Sequence, residues 1–293
     1  MQIVHTIAEI RKLVGPARAE GKLVGLVPTM GAFHAGHLAL MSRARHECGF
    51  VVVSIFVNPA QFGPSEDYQK YPRDQKSDAE KAEVEGVDVI FAPSVEEMYP
   101  EGFGSYIEVV GLTETLEGAV RPGHFRGVAI VVAKLFNIVA PDNAYFGMKD
   151  YQQLKVIQKM VRDLDFDLEI IPVPTIRESD GLAMSSRNVY LDTKERAAAT
   201  ILYRALEFAK ERVLEGERYP AALEAAIRRF IEQEPLAKID YVAVVDPDTL
   251  EKLEKIGASV LVALAVKIGK TRLIDNNVIF GFKEGAFKTP IPL

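Results

Sequence analysis

The sequence predicts an α/β protein: a doubly wound parallel-sheet (Rossmann-like) N-terminal domain followed by a smaller α+β C-terminal domain. In the first part of the chain, short apolar segments alternate with helical periods, and many of these segments lack polar alternation. Such strands are typical of a parallel sheet that helices cover on both faces. From about Asp192, two amphipathic helical stretches precede three strand candidates. We place the boundary near residue 180, which gives domains 1–180 and 181–293.

Strands and helices are predicted in alternation along the N-terminal domain. The strand candidates are Leu23–Val27, Val51–Val57, Val87–Phe91, Ala144–Phe146 and Leu168–Val173, and the helix candidates are His37–Glu47, Ser77–Glu85, Gly127–Val139 and Lys149–Asp163. Ligands of a doubly wound sheet gather at the carboxyl ends of its strands. Three loops fall there, and we expect them to converge: Pro28–His37, Asn58–Gly63 and Gly147–Asp150.

The C-terminal domain is predicted to contain two helices and three strands. Helical spacing covers Thr193–Leu214 and Tyr219–Glu232, and Asp192 or Thr193 supplies a cap for the first helix. The strand candidates are Asp240–Val245, Val260–Val266 and Thr271–Phe280.

Composition narrows the classes of partner. The 293 residues carry a formal net charge of −6, whereas a predominantly electrostatic nucleic-acid binder is usually basic, so we expect no nucleic-acid partner. Met1–Ala8 lacks a secretory pattern and the apolar segment Ala258–Val266 is too short to cross a bilayer, so we expect no membrane partner. The single cysteine, Cys48, cannot form an intrachain disulfide, which fits a cytoplasmic protein. No zinc spacing is present, and we assign no metal ligand.

The stretch Pro28–Leu38 is the most informative in the chain. It follows an apolar run and precedes a helical pattern, so it reads as strand, glycine-bearing turn and helix, with His34 and His37 where the helix begins. A helix start offers unpaired N–H groups to phosphate, and two imidazoles add donors that can stabilise charge developing on it. The alternative is a tight turn with one buried and one exposed histidine.

Two further loops fall at carboxyl ends of predicted strands. Asn58 and Gln61 form a polar amide pair after a proline turn, which could position a hydroxylated carboxylate; alternatively, Asn58 bonds its own backbone. In the second loop, Gly147 permits close approach, Lys149 supplies a cation for phosphate, and Gln153 lies one helical turn beyond. A capped helix is the alternative, and it accounts for Asp150 but not for Lys149.

Three charged segments are more ambiguous. Tyr68–Asp74 binds phosphate or is a solvated surface. Arg121–Gly127 places two arginines and a histidine before an apolar helix, which suits an anion, helix capping or dimer contacts. Ile176–Asn188 contains three serines and two arginines at the predicted domain junction, and it either wraps a triphosphate or is a flexible linker.

Several of these motifs resemble one family. His34-Ala35-Gly36-His37 looks like the His-x-x-His element of the adenylyl-transferring superfamily, and Met184–Arg187 resembles its second phosphate-binding loop, with arginine where lysine is frequent. Phe33 and Ala35 stand where leucine and glutamate are frequent. The closer resemblance, from about residue 23 to 190, is to the pantoate–β-alanine ligase family, whose motifs occur here in order: Pro28–His37, Phe56–Phe62, Arg121–Gly127, Phe146–Gln153 and Asp180–Asn188.

The resemblance implies that the chain condenses pantoate with β-alanine through a pantoyl adenylate, and that it releases AMP and pyrophosphate. It implies ATP as a substrate accompanied by Mg²⁺, no tightly bound organic cofactor and a homodimer. We also expect the C-terminal domain to close over the site, because a reactive acyl adenylate must be kept from water. The catalytic residues it implies are His37 as donor to the developing phosphate charge, His34 beside the triphosphate, Lys149, Ser186 and Arg187.

The same resemblance implies the binding residues. Pantoate would contact Gln61, Gln153 and Asn58, and Gln61 would also face β-alanine. The residues implied for ATP are Met30, Gly31, Ala32, Phe33, His34, Ala35, Gly36, His37, Gly147, Met148, Lys149, Asp150, Ile176, Met184, Ser185, Ser186 and Arg187.

Three alternatives compete with this interpretation. A nucleotidylyltransferase would retain the nucleotide in its product, so release of AMP separates it from a ligase. A tRNA-charging or RNA-binding protein is disfavoured by the acidic balance. A nucleotide-binding regulatory module without turnover is disfavoured by the pair His34 and His37 together with Lys149 and Arg187.

Overall fold

The computed structural model describes residues 1–64 and 66–280. The chain folds into two compact units. The first comprises Met1–Ile176 and Met184–Ser186, and the second comprises Arg177–Ala183 and the described residues from Arg187 onward.

The first unit contains a six-stranded, wholly parallel sheet in the order β1-β4-β3-β2-β5-β6. Its strands are β1 (Gln2–Val4), β2 (Val24–Thr29), β3 (Phe50–Ile55), β4 (Val89–Phe91), β5 (Asn143–Gly147) and β6 (Glu169–Val173). Its α-helices are α1 (Ile7–Ala19), α2 (Ala35–Glu47), α3 (Gln75–Val84), α4 (Val95–Met98), α5 (Leu116–Val120), α6 (His124–Val139) and α7 (Tyr151–Asp163), with 3-10 turns at Pro59–Gln61, Tyr68–Lys70 and Met148–Asp150.

Helices cover both faces of this sheet. Val51 and Val53 of β3 lie in one apolar cluster with Met41 and Ala44 of α2, while Val52 between them is also fully buried. Since successive strand residues point to opposite faces, the sheet is buried on both. Pro172 lies in β6, an edge strand, where a residue without an N–H costs no ladder hydrogen bond. The doubly wound prediction is confirmed.

The strand order reverses between β2 and β5. From β2 the chain proceeds through β3 and β4 on one side, and it then returns to place β5 and β6 on the other side of β2. The loops that follow β2 and β5 therefore flank the switch point, where such sheets bind ligands.

The first strand and helix were not predicted. β1 pairs with β4, and α1 begins after Thr6, whose hydroxyl accepts from the Glu9 N–H while the Glu9 carboxylate accepts from the Thr6 N–H. This capping box could be recognised in the sequence as the start of a helix, because Ile10, Val14 and Ala17, which are buried, follow at helical spacing.

The second unit contains α8 (Thr193–Ala198), α9 (Ile201–Leu214) and α10 (Pro220–Ile231), with an antiparallel sheet of β7 (Ala237–Val245), β8 (Ser259–Ile268) and β9 (Thr271–Phe280). A 3-10 segment, Ser186–Tyr190, spans the boundary between the units. The outer edge of β7 is protected by α10: Glu224 accepts from the Val244 N–H and Arg228 donates to the Val242 carbonyl. The predicted α+β class is confirmed.

The prediction of one helix over Thr193–Leu214 is wrong in one respect, because the helix breaks after Ala198. Thr200 donates from its hydroxyl to the Ala197 carbonyl, and its N–H also points to that carbonyl three residues back. Such local bonding by threonine competes with the regular helical pattern. In the described part of the chain, no helix is both long and apolar enough to cross a membrane.

Candidate active site

The turn after β2 has an unusual backbone. Gly31 and Ala32 both have positive φ, 81° and 55°, and a Cβ at Gly31 would lie 2.9 Å from an oxygen of Asp78. Only glycine enters this region at little cost, so Ala32 requires support from its surroundings. Thr29 begins that support: its hydroxyl donates to the Ser54 carbonyl of β3 and accepts from the Gly31 N–H.

Two side chains of α3 hold the same turn from outside. The buried carboxylate of Asp78 accepts from the Ala32 N–H at 2.8 Å and from the Phe33 N–H at 2.7 Å. Lys81, one helical turn on, donates to the Phe33 carbonyl at 2.8 Å. Sequence reasoning missed both residues, because their partners are backbone groups that no motif reveals.

The two histidines lie at the start of α2 with their tautomers fixed by the backbone. The Gly36 N–H donates to Nδ1 of His34 at 3.1 Å, and the His34 N–H donates to Nδ1 of His37 at 3.4 Å. A ring nitrogen that accepts carries no proton, so each neutral ring is protonated on Nε2. The ring centroids are 4.1 Å apart, so the pair presents two adjacent N–H donors.

Both histidines are neutral near neutral pH. Burial, and next the charge of Lys149, lower the pKa of His34 from 6.5 to about 4. Burial, and next the proximity of His34, lower the pKa of His37 from 6.5 to about 3. The charge of Lys149 also contributes to lowering the pKa of His37, so Lys149 lies close enough to influence both rings. A phosphate at this site would meet hydrogen-bond donors from the rings and a cation from Lys149.

Gly36 keeps space for this arrangement. A Cβ there would lie 2.8 Å from Cε1 and 3.0 Å from Nδ1 of His34, so any side chain would displace the ring. The same Cβ position is 3.8 Å from Cβ of Met184, which places the Met184–Ser186 segment beside the helix start. That segment is anchored by a bond from the Met184 N–H to the Ile176 carbonyl and by one between the hydroxyls of Ser186 and the buried Tyr71.

Hydrogen bonds hold the amide pair Asn58 and Gln61, which follows β3, in a fixed arrangement. Asn58 is buried, and its Oδ1 accepts from the Ala60 N–H and the Tyr99 hydroxyl. Its Nδ2 donates to the Gly127 carbonyl and to Oε1 of Gln61, both at 3.0 Å. All four hydrogen-bonding positions of Asn58 are thus used, so it orients Gln61. Gln61 in turn directs Nε2 towards the Met30 sulfur, a weak acceptor, at 3.4 Å.

The loop after β5 continues into a helix later than predicted. Met148–Asp150 is a 3-10 turn, and α7 begins at Tyr151. Lys149 is 3.9 Å from the Asp150 carboxylate. Gln152 and Gln153 differ: Gln152 is buried and bonds the Glu117 N–H and the carbonyls of Leu112 and Thr115, whereas Gln153 is half-buried.

Arginines in two other charged segments form hydrogen bonds and ion pairs with groups of the protein itself. Arg73 donates to the carbonyls of Tyr68 and Tyr71, so the Tyr68–Asp74 segment is tied to itself. In the second unit, Arg177 forms two hydrogen bonds with the buried Asp275, and Arg196 bridges Glu178 and Asp180. Arg187 also belongs to the second unit, whereas the other predicted site residues belong to the first.

Comparison with known sequences gives one consistent relationship. The sequence model described as Pantoate-beta-alanine ligase matches residues 2–278. A pantothenate synthetase of Moorella thermoacetica is 56% identical over 279 residues, which cover 95% of this chain and 99% of that protein. One of Pelotomaculum thermopropionicum is 57% identical with the same coverage.

Comparison with solved structures agrees. The crystal structure of pantothenate synthetase from Thermus thermophilus has a TM-score of 0.89 and 51% identity, covering 94% of this chain and 99% of that one. The pantoate-beta-alanine ligase from Francisella tularensis, complexed with Beta-gamma ATP and Beta-alanine, has a TM-score of 0.78 and 37% identity, covering 95% and 97% of the two chains. With a parallel sheet, a histidine pair at its switch point and relatives matched over nearly their whole length, the chain belongs to the pantoate–β-alanine ligase family.

Proposed function

We propose that the Nε2–H groups of His34 and His37, together with Lys149, stabilise the charge that develops when the carboxylate of pantoate attacks the α-phosphorus of ATP. A carboxylate is already ionised near neutral pH, so this step needs alignment and charge stabilisation rather than a base. One carboxylate oxygen bonds to phosphorus as the bond to the leaving pyrophosphate breaks. The observation that carries the proposal is the fixed tautomer of both rings at the start of α2.

The second step consumes the adenylate. The amine of β-alanine attacks the acyl carbon, an amide bond forms, the bond to the AMP oxygen breaks, and the amine loses its proton. Gln61 is suited to orient the pantoyl group and to face the incoming amine, because Asn58 holds its Oε1 and leaves Nε2 against a weak acceptor. Gln153 is the second pantoate ligand in this proposal.

The positions of several loops support the proposed nucleotide contacts. The backbone of Met30–Ala35 and Gly147–Asp150 borders the switch point, and Ile176 and Met184–Ser186 lie beside the start of α2. Arg187 would add a guanidinium to the phosphates. Arg187→Ala is expected to weaken the dependence on ATP, and an unchanged ATP KM would remove Arg187 from this role.

Magnesium fits best as part of the nucleotide substrate. Among the residues that the structure describes, no group of three or more His, Cys, Asp or Glu side chains could hold a metal ion. Mg²⁺ binds phosphates readily and keeps several waters, and it would neutralise charge on the leaving pyrophosphate. Turnover should therefore stop with EDTA and return with added Mg²⁺, without loss of folded protein.

The closing test of the proposed function is a product analysis. The purified protein is incubated with Mg²⁺, ATP and pantoate, with and without β-alanine, and AMP, ADP and pyrophosphate are resolved. AMP and pyrophosphate over many turnovers, only with both substrates, would support the adenylate route. ADP and phosphate would indicate an acyl phosphate and contradict the roles given to the histidines.

Two properties of the whole chain belong to the same proposal. The C-terminal unit would close over the nucleotide, because a reactive acyl adenylate must be protected from water. Identical scattering profiles with and without ATP would contradict a large closure. We also infer a cytoplasmic homodimer. The family resemblance supports the dimer, which light scattering would test, and the lone, buried Cys48 suits a reducing compartment.

A further inference from the structure

A series of hydrogen-bonded charged and polar side chains leads to the turn that contains Gln61. Glu66 binds Arg121 through two parallel hydrogen bonds, Nε to Oε1 and Nη2 to Oε2, both 2.7 Å. Arg121 then approaches Nε2 of the buried His124 with Nη1 at 2.9 Å. Nδ1 of His124 lies 2.8 Å from the backbone carbonyl oxygen of Gln61.

The chemistry of arginine settles the proton positions along this series. A guanidinium has donors and no acceptor, so Nε2 of His124 must accept and carries no proton. The neutral ring is therefore protonated on Nδ1, and it donates that proton to the Gln61 carbonyl. This is the opposite tautomer to that of His34 and His37, which accept on Nδ1.

The same turn is fastened at two further points by the start of α6. Asn58 donates to the Gly127 carbonyl, and a Cβ at Gly127 would overlap the carbonyl oxygen of Ala60. The Pro59–Gln61 turn is thus packed closely against the start of α6, and His124 bonds its last residue. These side-chain bonds do not cap α6. His124 is the first residue of that helix, and its ring bonds the Gln61 carbonyl rather than an N–H group of α6.

We propose that Glu66, Arg121 and His124 form a positioning relay that fixes the Pro59–Gln61 turn and thereby aims the Gln61 carboxamide at pantoate. The three residues touch no substrate in this proposal; they act through Gln61. The inference rests on the proposed role of Gln61 and extends it to residues outside the substrate pocket. It also assigns the Arg121–Gly127 motif, which from sequence alone suited an anion equally well.

Two substitutions of His124 separate the functions of its two nitrogens. The amide nitrogen of Asn occupies a position near Nδ1, so His124→Asn keeps a donor for the Gln61 carbonyl. The amide of Gln reaches the position of Nε2, so His124→Gln keeps the contact with Arg121 and loses the donor. We expect His124→Gln to raise the pantoate KM about tenfold, as loss of one buried hydrogen bond does, with the ATP KM unchanged.

His124→Asn should remain closer to the parent than His124→Gln in the pantoate KM. Glu66→Gln, at the partly exposed end of the relay, should raise the same parameter by a smaller factor. His46→Gln, the same exchange at an exposed histidine, is the matched control. Urea midpoints of all variants show whether a change in KM reflects a loss of folding, which would shift the pantoate and ATP constants together.

A double-mutant cycle distinguishes the relay from the role of Gln61. If the relay acts through Gln61, His124→Gln should add little to the pantoate KM of Gln61→Ala. A raised KM for Gln61→Ala with an unchanged KM for His124→Gln would overturn the relay and leave the role of Gln61 intact. Unchanged pantoate and β-alanine constants for Gln61→Ala would overturn that role, and the relay with it. Additive effects of the two substitutions would also overturn the relay.

Discussion

The two site histidines owe their chemistry to backbone groups rather than to carboxylates. Each Nδ1 accepts from a backbone N–H at the start of α2, which directs the proton to Nε2, and burial keeps both rings neutral. A neutral ring stabilises phosphate by donation alone. In the proposed mechanism the pair therefore needs no titration during catalysis, and Lys149 would supply the positive charge.

His37→Ala should reduce pantoate-dependent pyrophosphate release by ~10²–10³, the size typical of one transition-state donor. Burial lowers the pKa of His37 further than that of His34, and alanine removes its Nε2–H donor altogether. The measurement is single-turnover pyrophosphate release at saturating ATP and pantoate. His46→Ala on the exposed side of the same helix should leave the rate unchanged. Near-parent release by His37→Ala would remove it from this role.

Asp78 allows a second test at the residue scale. Asp78→Asn replaces one of two acceptors with a donor that faces a backbone N–H, so the turn at Ala32 loses a charged hydrogen bond. We expect a loss of about 2 kcal/mol in the free energy of unfolding and a slower adenylation step. Urea unfolding and pyrophosphate release measure the two effects.

Asp74→Asn is the matched control for Asp78. Asp74 caps the same helix from an exposed position, and asparagine caps about as well as aspartate. Equal losses in the two variants would show that Asp78 stabilises only α3.

At the scale of elements, α6 is a helix with mostly buried residues that also supports the Pro59–Gln61 turn. Gly127→Ala should destabilise the protein by about 1–3 kcal/mol or more, because the new methyl group overlaps the Ala60 carbonyl and must displace the turn. The pantoate KM should rise as well. Urea unfolding and steady-state kinetics test both expectations.

Gly15→Ala is the same change in another helix, at a position with nothing outside that helix within 4 Å of the new methyl group. It should change the free energy of unfolding by less than about 1 kcal/mol, because the higher helix propensity of alanine is offset by contact between its Cβ and the ring of the following Pro16. If both variants were destabilised alike, the explanation through the Ala60 contact would fail.

The sequence predicted the buried strands best, because their apolar pattern has a single physical cause, which is burial on both faces of the sheet. Buried strands read as apolar runs, and the rule for doubly wound sheets then places the loops after β2, β3 and β5 together. The break at Thr200 was missed because a side-chain bond to the local backbone leaves the apolar period unchanged. α1 was missed although the Thr6–Glu9 capping box was visible.

At the scale of the whole molecule, the predicted site depended on the family resemblance for its roles. The fold argument supplied only a location at the sheet edge and a set of phosphate donors. Asp78, His124 and Arg121 show what neither source supplied: long-range contacts between side chains and backbone carbonyls or N–H groups, which leave no spacing in the sequence.

Three histidines with lowered pKa values should make the stability of the molecule depend on pH. The pKa values of His34 and His124 are lowered to about 4 and that of His37 to about 3, whereas an unfolded histidine titrates near 6.5. For His124 the causes are burial and then the charge of Arg121. Between these values the unfolded chain binds more protons than the folded chain.

Stability should therefore be constant above about pH 6.5 and fall as the pH decreases below it. Carboxylates with lowered pKa values add a loss only below about 4.5, so the interval from about pH 6.5 to 5 isolates the histidines. Urea midpoints across that interval measure the slope. His124→Asn should make it shallower, because one of the three groups is removed, while His46→Asn should not. An unchanged slope in His124→Asn would mean that His124 binds protons alike in the folded and unfolded states across this interval. Its ring would then become protonated there, and a protonated ring could not accept from Arg121.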